Sequence, residues 1–241
     1  MKDPVTYSRS GPVSTIVMDD GKANVMSLAM LNALHLAFDQ AERDNTVAIL
    51  KARGKHFSGG FDLNVFTSGN AEDQYLMVKA GAELALRILS FPTPVVVACQ
   101  GNAFPMGAFL IMSADHRIAA EGNYRIGMNE VAIGLTVPRF AIEIARQRLT
   151  PAYFSRVVMT AEMFAPLEAA TAGFFDRVVP LSELERAAGE AAHALSTLNM
   201  AAHAATKARA RGAVISMIRG MIDEDITPQY SRDRVASRAS A

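Results

Sequence analysis

The sequence predicts an α/β fold, because short apolar runs of strand length alternate with longer segments of helical periodicity. Residues 13–18, 47–52, 94–99 and 116–120 are rich in valine, isoleucine, leucine and alanine and predict buried strands. Residues 28–43 carry leucine and phenylalanine at helical spacing after Ser27, a residue type that favours a helix start. Residues 72–89 predict another helix, which Pro92 and Pro94 terminate.

The remaining segments extend this pattern toward the C-terminus. An apolar helix is predicted over residues 108–113, and residues 124–126 predict a short strand. From about Ser182 the chain is rich in alanine, arginine, methionine and glutamate, a composition typical of helices. Residues 227–241 are polar, so we expect this tail to be disordered or docked on a neighbouring subunit.

The composition is that of one ordinary globular domain. The chain has 241 residues, of which 50% are hydrophobic and 20% charged, enough for a sizeable core. Lysine plus arginine and aspartate plus glutamate both number 24, which gives no support for a nucleic-acid partner and mildly favours self-association. Without a leader-like start or an apolar stretch of about 20 residues, we expect a cytoplasmic protein that makes no membrane contact.

Several common site types lack support in the sequence. Cys99 is the only cysteine, which excludes a disulfide within the chain and a cysteine-based metal site, and we expect no metal. The glycine-rich dinucleotide and phosphate motifs, the His-Glu-x-x-His motif and the Gly-x-Ser-x-Gly elbow are all absent from the sequence. Two glycine-containing loops remain, residues 54–62 and 101–107, and each follows an apolar strand.

These two loops predict a ligand site when they are taken together with Glu130. Loops of this kind lie at the carboxyl ends of strands, where α/β folds bind ligands. Their backbone N–H groups, near a helix start, can point at an anionic oxygen. Either loop alone is typical of an ordinary turn, but both loops and a carboxylate downstream predict an oxyanion hole and a base. Helix capping is the alternative role for Glu130, because helix-compatible residues follow it as far as Arg148.

Three segments of the sequence resemble a known family. Residues 57–63 read Phe-Ser-Gly-Gly-Phe-Asp-Leu, and residues 94–103 read Pro-Val-Val-Val-Ala-Cys-Gln-Gly-Asn-Ala ahead of Met106 and Gly107. Residues 129–138 read Asn-Glu-Val-Ala-Ile-Gly-Leu-Thr-Val-Pro. In this order and spacing, over roughly residues 13–179, the chain resembles the crotonase family of enoyl-CoA hydratases and isomerases.

The resemblance implies a crotonase-like spiral of ββα units with a helical C-terminal region. It divides the chain into a catalytic core that binds acyl-CoA, residues 1–180, and a helical oligomerisation region, residues 181–241. It further implies a coenzyme A thioester as substrate, no permanently bound cofactor, and a homotrimer or a dimer of trimers.

The resemblance also assigns residues to the site. It puts the backbone N–H groups of Gly59 and Met106 in the oxyanion hole, and Ala23 with Asn24 near the adenine of coenzyme A. Further substrate contacts are expected from the two loops and the helix that follows them: Ser58, Gly60, Phe61, Asp62, Gly107 and Phe109. For Asp62 helix capping is the favoured interpretation, and for Asp115 a structural hydrogen bond.

The chain departs from the family at one catalytic position. Hydratases of the family use two glutamates, but here Phe109 occupies the first position and Glu130 the second. Phenylalanine can neither orient a water nor carry a proton, so we predict a 1,3-proton shift, Δ3-Δ2-enoyl-CoA isomerisation, with Glu130 as the single acid and base. Two alternatives stay open. One is hydration with an acid from elsewhere, such as Glu72, Asp73 or Glu83; the other is a catalytically silent acyl-CoA-binding subunit.

Overall fold

A six-stranded sheet forms one layer of the computed structural model, which describes residues 3–68 and 70–229. Its strands are β1 (Val5–Ser10), β2 (Val13–Met18), β3 (Val47–Ala52), β5 (Val95–Cys99), β7 (His116–Ala120) and β8 (Arg177–Val179), in that spatial order. β1 pairs antiparallel with β2, and every other neighbouring pair is parallel. All five residues of β5 are buried, as expected for a parallel strand that is covered on both faces.

A small second sheet is formed by short strands that follow long strands of the large sheet in the sequence. β4 (His56–Ser58) pairs in parallel with β6 (Asn102–Ala103), and single bridges join Met26 to Phe61 and Ala103 to Ile126. Each repeat therefore runs from a long strand to a short strand or bridge and then to a helix. The predicted spiral of ββα units is confirmed.

Helices cover the large sheet and connect the repeats. The α-helices are α1 (Leu28–Arg43), α2 (Leu63–Thr67), α3 (Ala71–Ser90), α4 (Pro105–Ser113), α5 (Arg139–Arg148), α6 (Pro151–Val158), α7 (Pro166–Ala172), α8 (Leu184–Ser196) and α9 (Met200–Asp225). α1 begins at the predicted cap, because the Ser27 hydroxyl accepts a hydrogen bond from the Met30 N–H at 3.2 Å. α3 extends the predicted helix by one residue at each end.

Three elements differ from the sequence prediction. The strand predicted over residues 124–126 is reduced to bridges at Ile126. α4 begins at Pro105, three residues before the predicted start, because proline suits the first helical position, where no N–H is needed. The sequence pattern does not predict β1, because β1 is an edge strand and most of its side chains are polar and exposed.

The large sheet separates two clusters of buried apolar side chains. Along β3, Ala48 and Leu50 belong to the larger cluster, and Val47 and Ile49 belong to the smaller one, as the two-residue period of a strand requires. α8 covers the smaller cluster with four buried side chains: Leu184, Ala187, Ala188 and Ala192. This part of the predicted C-terminal region thus completes the core of its own chain.

α9 is tied to the sheet by a buried group of charges. The Asp115 carboxylate accepts hydrogen bonds from the Val95 N–H at 2.8 Å and from Lys207 Nζ at 2.6 Å, and it lies 3.0 Å from the Arg211 guanidinium. Lys207 is 7% exposed and also donates to the Phe91 carbonyl at 2.8 Å. The structural role predicted for Asp115 is confirmed. The oligomerisation role of residues 181–241 stays a prediction.

Two further sequence predictions concern the polar C-terminal tail and the lack of a membrane-spanning segment. Residues 230–241 of the predicted polar tail lie outside the described residues. Within the described ranges, none of the helices is both long enough and apolar enough to span a membrane.

Replacement of Lys207 by methionine tests the buried charge group. We expect Lys207→Met to lower the free energy of unfolding by about 3 kcal/mol, because the buried Asp115 carboxylate loses a direct ionic partner. Lys51→Met is the matched control; its ion pair with Glu185, whose side chain is 79% exposed, should contribute less than about 1 kcal/mol. Urea unfolding of both variants measures the difference, and equal losses of stability would contradict the assignment.

Candidate functional site

A pocket of about 300 Å³ lies between the two glycine-containing loops and the turn that precedes α5. Its lining, which comes from both loops, α2, α3, α4 and that turn, consists of Gly59, Gly60, Phe61, Leu63, Phe66, Val78, Phe104, Pro105, Phe109, Asn129, Glu130, Ile133, Leu135, Thr136 and Pro138. Among these residues Glu130 is the one with an ionisable side chain. We call this space the Glu130 pocket.

The carboxylate of Glu130 is buried in an apolar surrounding. The residue is 6% exposed, and its Oε2 atom has no hydrogen-bond partner in the described part of the chain. Burial raises the pKa of Glu130 to about 7, because the ionised form is poorly solvated in an apolar surrounding. A carboxyl group with this pKa can both take and return a proton near neutral pH.

The backbone around Glu130 forms a closed turn. The Glu130 carbonyl accepts hydrogen bonds from Ile133 N–H at 3.0 Å and Leu135 N–H at 2.8 Å. Gly134 ends the short 3-10 helix Val131–Ile133 with a φ of +75°, a conformation that favours glycine. This helix is therefore separate from α5, which begins at Arg139. The Glu130 side chain makes no capping hydrogen bond, so the helix-cap alternative is wrong.

Backbone N–H groups of the first loop differ in whether they are free. The Gly59 N–H donates to the Ala23 carbonyl at 2.7 Å, and the Gly60 N–H donates to Ser58 Oγ at 3.1 Å. Phe61 lines the pocket, and its N–H makes no hydrogen bond to the described residues. The prediction that the Gly59 N–H serves the oxyanion hole conflicts with this geometry, because that donor is already used. The Phe61 N–H is thus a free donor beside the pocket.

The second loop runs directly into the N-terminus of α4. Met106 is the second residue of this helix, where a backbone N–H has no acceptor in a preceding turn. Its side chain is fully buried and does not line the pocket, whereas the neighbouring Pro105 does. The oxyanion role of the Met106 N–H stays a prediction.

Close packing against Ser58 explains why position 107 is a glycine. A Cβ atom on Gly107 would lie 2.7 Å from the Ser58 Cβ, closer than real side chains approach. Gly107 therefore lets α4 pack directly on β4. It contacts Ser58 and does not line the Glu130 pocket, and its predicted contact with substrate stays a prediction.

Asn24 and Ser58 hold the loops together and do not line the Glu130 pocket; their predicted contacts with substrate stay predictions. Asn24 Nδ2 donates to the carbonyls of Arg53 at 2.9 Å and His56 at 2.8 Å, and its Oδ1 accepts from the Asp20 N–H at 3.1 Å. Ser58 Oγ donates to the Asn24 carbonyl at 2.9 Å. Both side chains are buried, and their hydrogen-bonding capacity serves the scaffold.

Asp62 and Ala23 complete the set of predicted contacts. Asp62 Oδ1 accepts from the Asn64 N–H at 3.0 Å and caps α2, so the favoured capping interpretation is confirmed. Asp62 does not line the pocket. Ala23 is half-buried and accepts the Gly59 hydrogen bond; its place near the adenine stays a prediction.

An aromatic side chain replaces the first family glutamate in the pocket wall. Phe109 is 1% exposed and packs edge-on against Phe140, with ring centroids 5.9 Å apart. The alternative acids do not reach this space. Glu72 and Asp73 are exposed in the first turn of α3, and Glu83 pairs with an arginine of α9. Among the described pocket residues, Glu130 is therefore the single carboxylate.

The sequence analysis missed the part of the wall that comes from other segments. Leu63 and Phe66 on α2 and Val78 on α3 line the pocket, and no local pattern distinguishes them from core residues. Asn129 and Pro138 flank the Glu130 motif and could have been inferred from that adjacency. Ile133 and Leu135, which follow Glu130 closely in the sequence, also line the pocket.

Comparison with known proteins matches one family over nearly the whole chain. The model of the enoyl-CoA hydratase/isomerase family matches residues 8–231. A probable enoyl-CoA hydratase of Bacillus subtilis is 38% identical over 133 residues, which are 54% of this chain. The alignment spans 50% of the length of that relative.

Solved structures show the same fold. A probable enoyl-CoA hydratase from Mycobacterium tuberculosis superposes with a TM-score of 0.89 and 44% identity, over 92% of this chain and 94% of that one. A structure described as an M. tuberculosis enoyl-CoA isomerase gives a TM-score of 0.88 and 43% identity, over 92% and 97% of the two chains. Both structures are of the same M. tuberculosis protein, which is thus described once as a probable hydratase and once as an isomerase.

The raised pKa of Glu130 predicts a pH-dependent stability. The ionised side chain destabilises the folded state; this penalty is absent below about pH 4.5 and complete above about pH 7. We expect Glu130→Gln to raise the free energy of unfolding relative to the wild type at pH 8 by up to about 3 kcal/mol more than at pH 4.5. Urea unfolding at both pH values measures this, with the exposed Glu121→Gln as control. A pH-independent difference would argue against a buried, unpaired carboxylate.

Proposed function

The chain belongs to the enoyl-CoA hydratase/isomerase family, and from this membership we propose that it is a Δ3-Δ2-enoyl-CoA isomerase in which Glu130 alone moves the proton. The observation that carries the proposal is the single, desolvated carboxylate of the Glu130 pocket, which Phe109 also lines. The substrate is a coenzyme A thioester with an unsaturated acyl chain.

The proposed reaction needs one group that acts in both directions. The Glu130 carboxylate takes a proton from C2 of a 3-enoyl thioester, and the electron pair of the C2–H bond moves into a dienolate whose charge lies on the thioester oxygen. The same carboxylic acid then donates the proton to C4, and the double bond lies between C2 and C3. No water enters the product, and the acid returns to its starting state.

The dienolate needs hydrogen-bond donors at the thioester oxygen. The free N–H of Phe61 and the N–H of Met106 in the first turn of α4 are the proposed pair. Both are backbone groups held by the fold, so they need little reorganisation when the charge develops. Loss of one such donor costs about 3 kcal/mol of transition-state stabilisation in comparable sites.

Hydration is the second candidate, because relatives of this chain are described as probable enoyl-CoA hydratases. A hydratase of the family divides its work between two carboxylates, one of which orients the attacking water. Phe109 occupies that position here, and an acid from another segment would have to approach Glu130 in the complex. A catalytically silent acyl-CoA-binding subunit is the third possibility. The expected assembly, a homotrimer or a dimer of trimers, and the cytoplasmic location stay predictions.

Incubation with 3-enoyl-CoA and, separately, 2-enoyl-CoA tests the assignment. We expect conversion of the 3-enoyl thioester, a fall in kcat of at least about a hundredfold for Glu130→Gln, and no change for Glu121→Gln. A substrate deuterated at C2 should deliver part of its label to C4, because the acid is shielded from solvent. Strong hydration of 2-enoyl-CoA that survives Glu130→Gln would contradict the proposal. Tight binding without turnover on any chain length would favour the silent subunit.

The pKa of Glu130 also predicts the pH profile of the reaction. Because the base must be ionised in the free enzyme, kcat/KM should rise with pH and level off above about pH 7. The profile is measured with the wild type and a 3-enoyl-CoA. An acidic limb near the ordinary glutamate pKa, about 4.3, would show that the base is solvated or ion-paired in solution.

A further inference from the structure

A second space of about 310 Å³ adjoins the Glu130 pocket. We call it the distal pocket, and its lining consists of Val78, Thr136, Val137, Pro138, Arg139, Glu224, Asp225 and Ile226. Val78, Thr136 and Pro138 also line the Glu130 pocket. The two spaces therefore lie next to each other, between α3 and the start of α5.

The C-terminal end of α9 forms the far side of the distal pocket. Ile226, directly after the helix, is 4% exposed, and Val137 on the opposite segment is 6% exposed. Arg139 Nε lies 2.9 and 2.7 Å from the two carboxylate oxygens of Asp225, and Arg139 also donates to Glu224 at 2.8 Å. These ion pairs join the end of α9 to the start of α5, and all three residues line the distal pocket.

We propose that the distal pocket holds the far part of the acyl chain and thereby selects longer chains with an apolar end; this inference rests on the isomerase function proposed above. Val78, Val137 and Ile226 offer an apolar surface, and each methylene buried there should tighten binding by about fourfold. The two carboxylates, Glu224 and Asp225, outnumber the one guanidinium. Their excess negative charge disfavours a chain that ends in a carboxylate.

A competing route exists on the outer side of the Glu130 turn. An open groove of about 580 Å³ shares Leu135 and Thr136 with the Glu130 pocket, and its lining includes Val131 and Met159. These two side chains are 47% and 63% exposed. A chain in this groove would stay largely in contact with water and would gain less from burial than one in the distal pocket.

The absence of tryptophan from the sequence allows a direct test. Ile226→Trp fills the distal pocket and adds a single fluorescent indole there. Met159→Trp is the matched control, because it adds a single indole to the competing groove. Each variant is compared with the wild type on 3-butenoyl-CoA and 3-decenoyl-CoA, after thermal unfolding has shown that it is folded.

We expect the wild type to prefer the decenoyl substrate in kcat/KM. Ile226→Trp should lower the ratio of decenoyl to butenoyl kcat/KM at least tenfold, whereas Met159→Trp should leave this ratio unchanged. An unchanged ratio in Ile226→Trp, or a loss confined to Met159→Trp, would overturn the proposal. If Ile226→Trp does not fold, the smaller filling variant Ile226→Phe is measured against the same criterion.

Binding of an unreactive acyl-CoA tests the position of the acyl chain independently of the proposed reaction. Decanoyl-CoA, which is saturated and cannot react, should shift or quench the indole fluorescence of Ile226→Trp, and butanoyl-CoA should not. This result would support the chain position even if no 3-enoyl-CoA were converted. Equal responses to both ligands, or a chain-length response from the indole of Met159→Trp, would show that the chain lies elsewhere. Turnover without a chain-length preference would support the isomerase function but contradict the distal pocket as the site of the acyl chain.

Discussion

The site depends on the burial of one carboxylate without a countercharge. Asp176 is also partly buried, and although burial raises its pKa, hydrogen bonds and charge from Arg117 lower that pKa overall. Glu130 has no such partner, and its pKa rises to about 7. An arginine beside Glu130 would stabilise the structure but would leave a weak base at neutral pH. The apolar surrounding therefore creates the reactivity and, by the same electrostatics, reduces the stability of the fold.

Backbone rather than side-chain chemistry positions the rest of the site. Asn24 and Ser58 use their polar atoms to join the first loop to the turn before α1, and this arrangement leaves the Phe61 N–H free. Gly107 lets α4 approach β4 closely, which brings the first turn of that helix to the same pocket. Substitutions at Asn24, Ser58 or Gly107 would act by moving donors, although none of these residues lines the pocket.

The fold and the main parts of the site could be predicted from the sequence, because the patterns that indicate them are local. Strand runs, the glycine loops and the acid motif each lie within a few residues, so the ββα spiral and Glu130 could be predicted. The free donor could not, because only folding gives the Gly59 N–H a carbonyl acceptor and leaves the Phe61 N–H without one. Val78 and Ile226 reach the pockets from distant segments, which no local pattern encodes.

Phe109 bears both on the apolar surrounding of Glu130 and on whether the pocket suits hydration or a proton shift. With its edge against Phe140, it gives an apolar wall to the pocket that Glu130 lines, at the position where a second acid would orient water. Hydration needs a water held against this wall, and an aromatic ring offers it no hydrogen bond. A proton shift needs no water, because the acid that receives the proton from C2 is the acid that returns it to C4. The apolar surrounding that raises the Glu130 pKa is thus consistent with the proposed 1,3-shift, which needs no water.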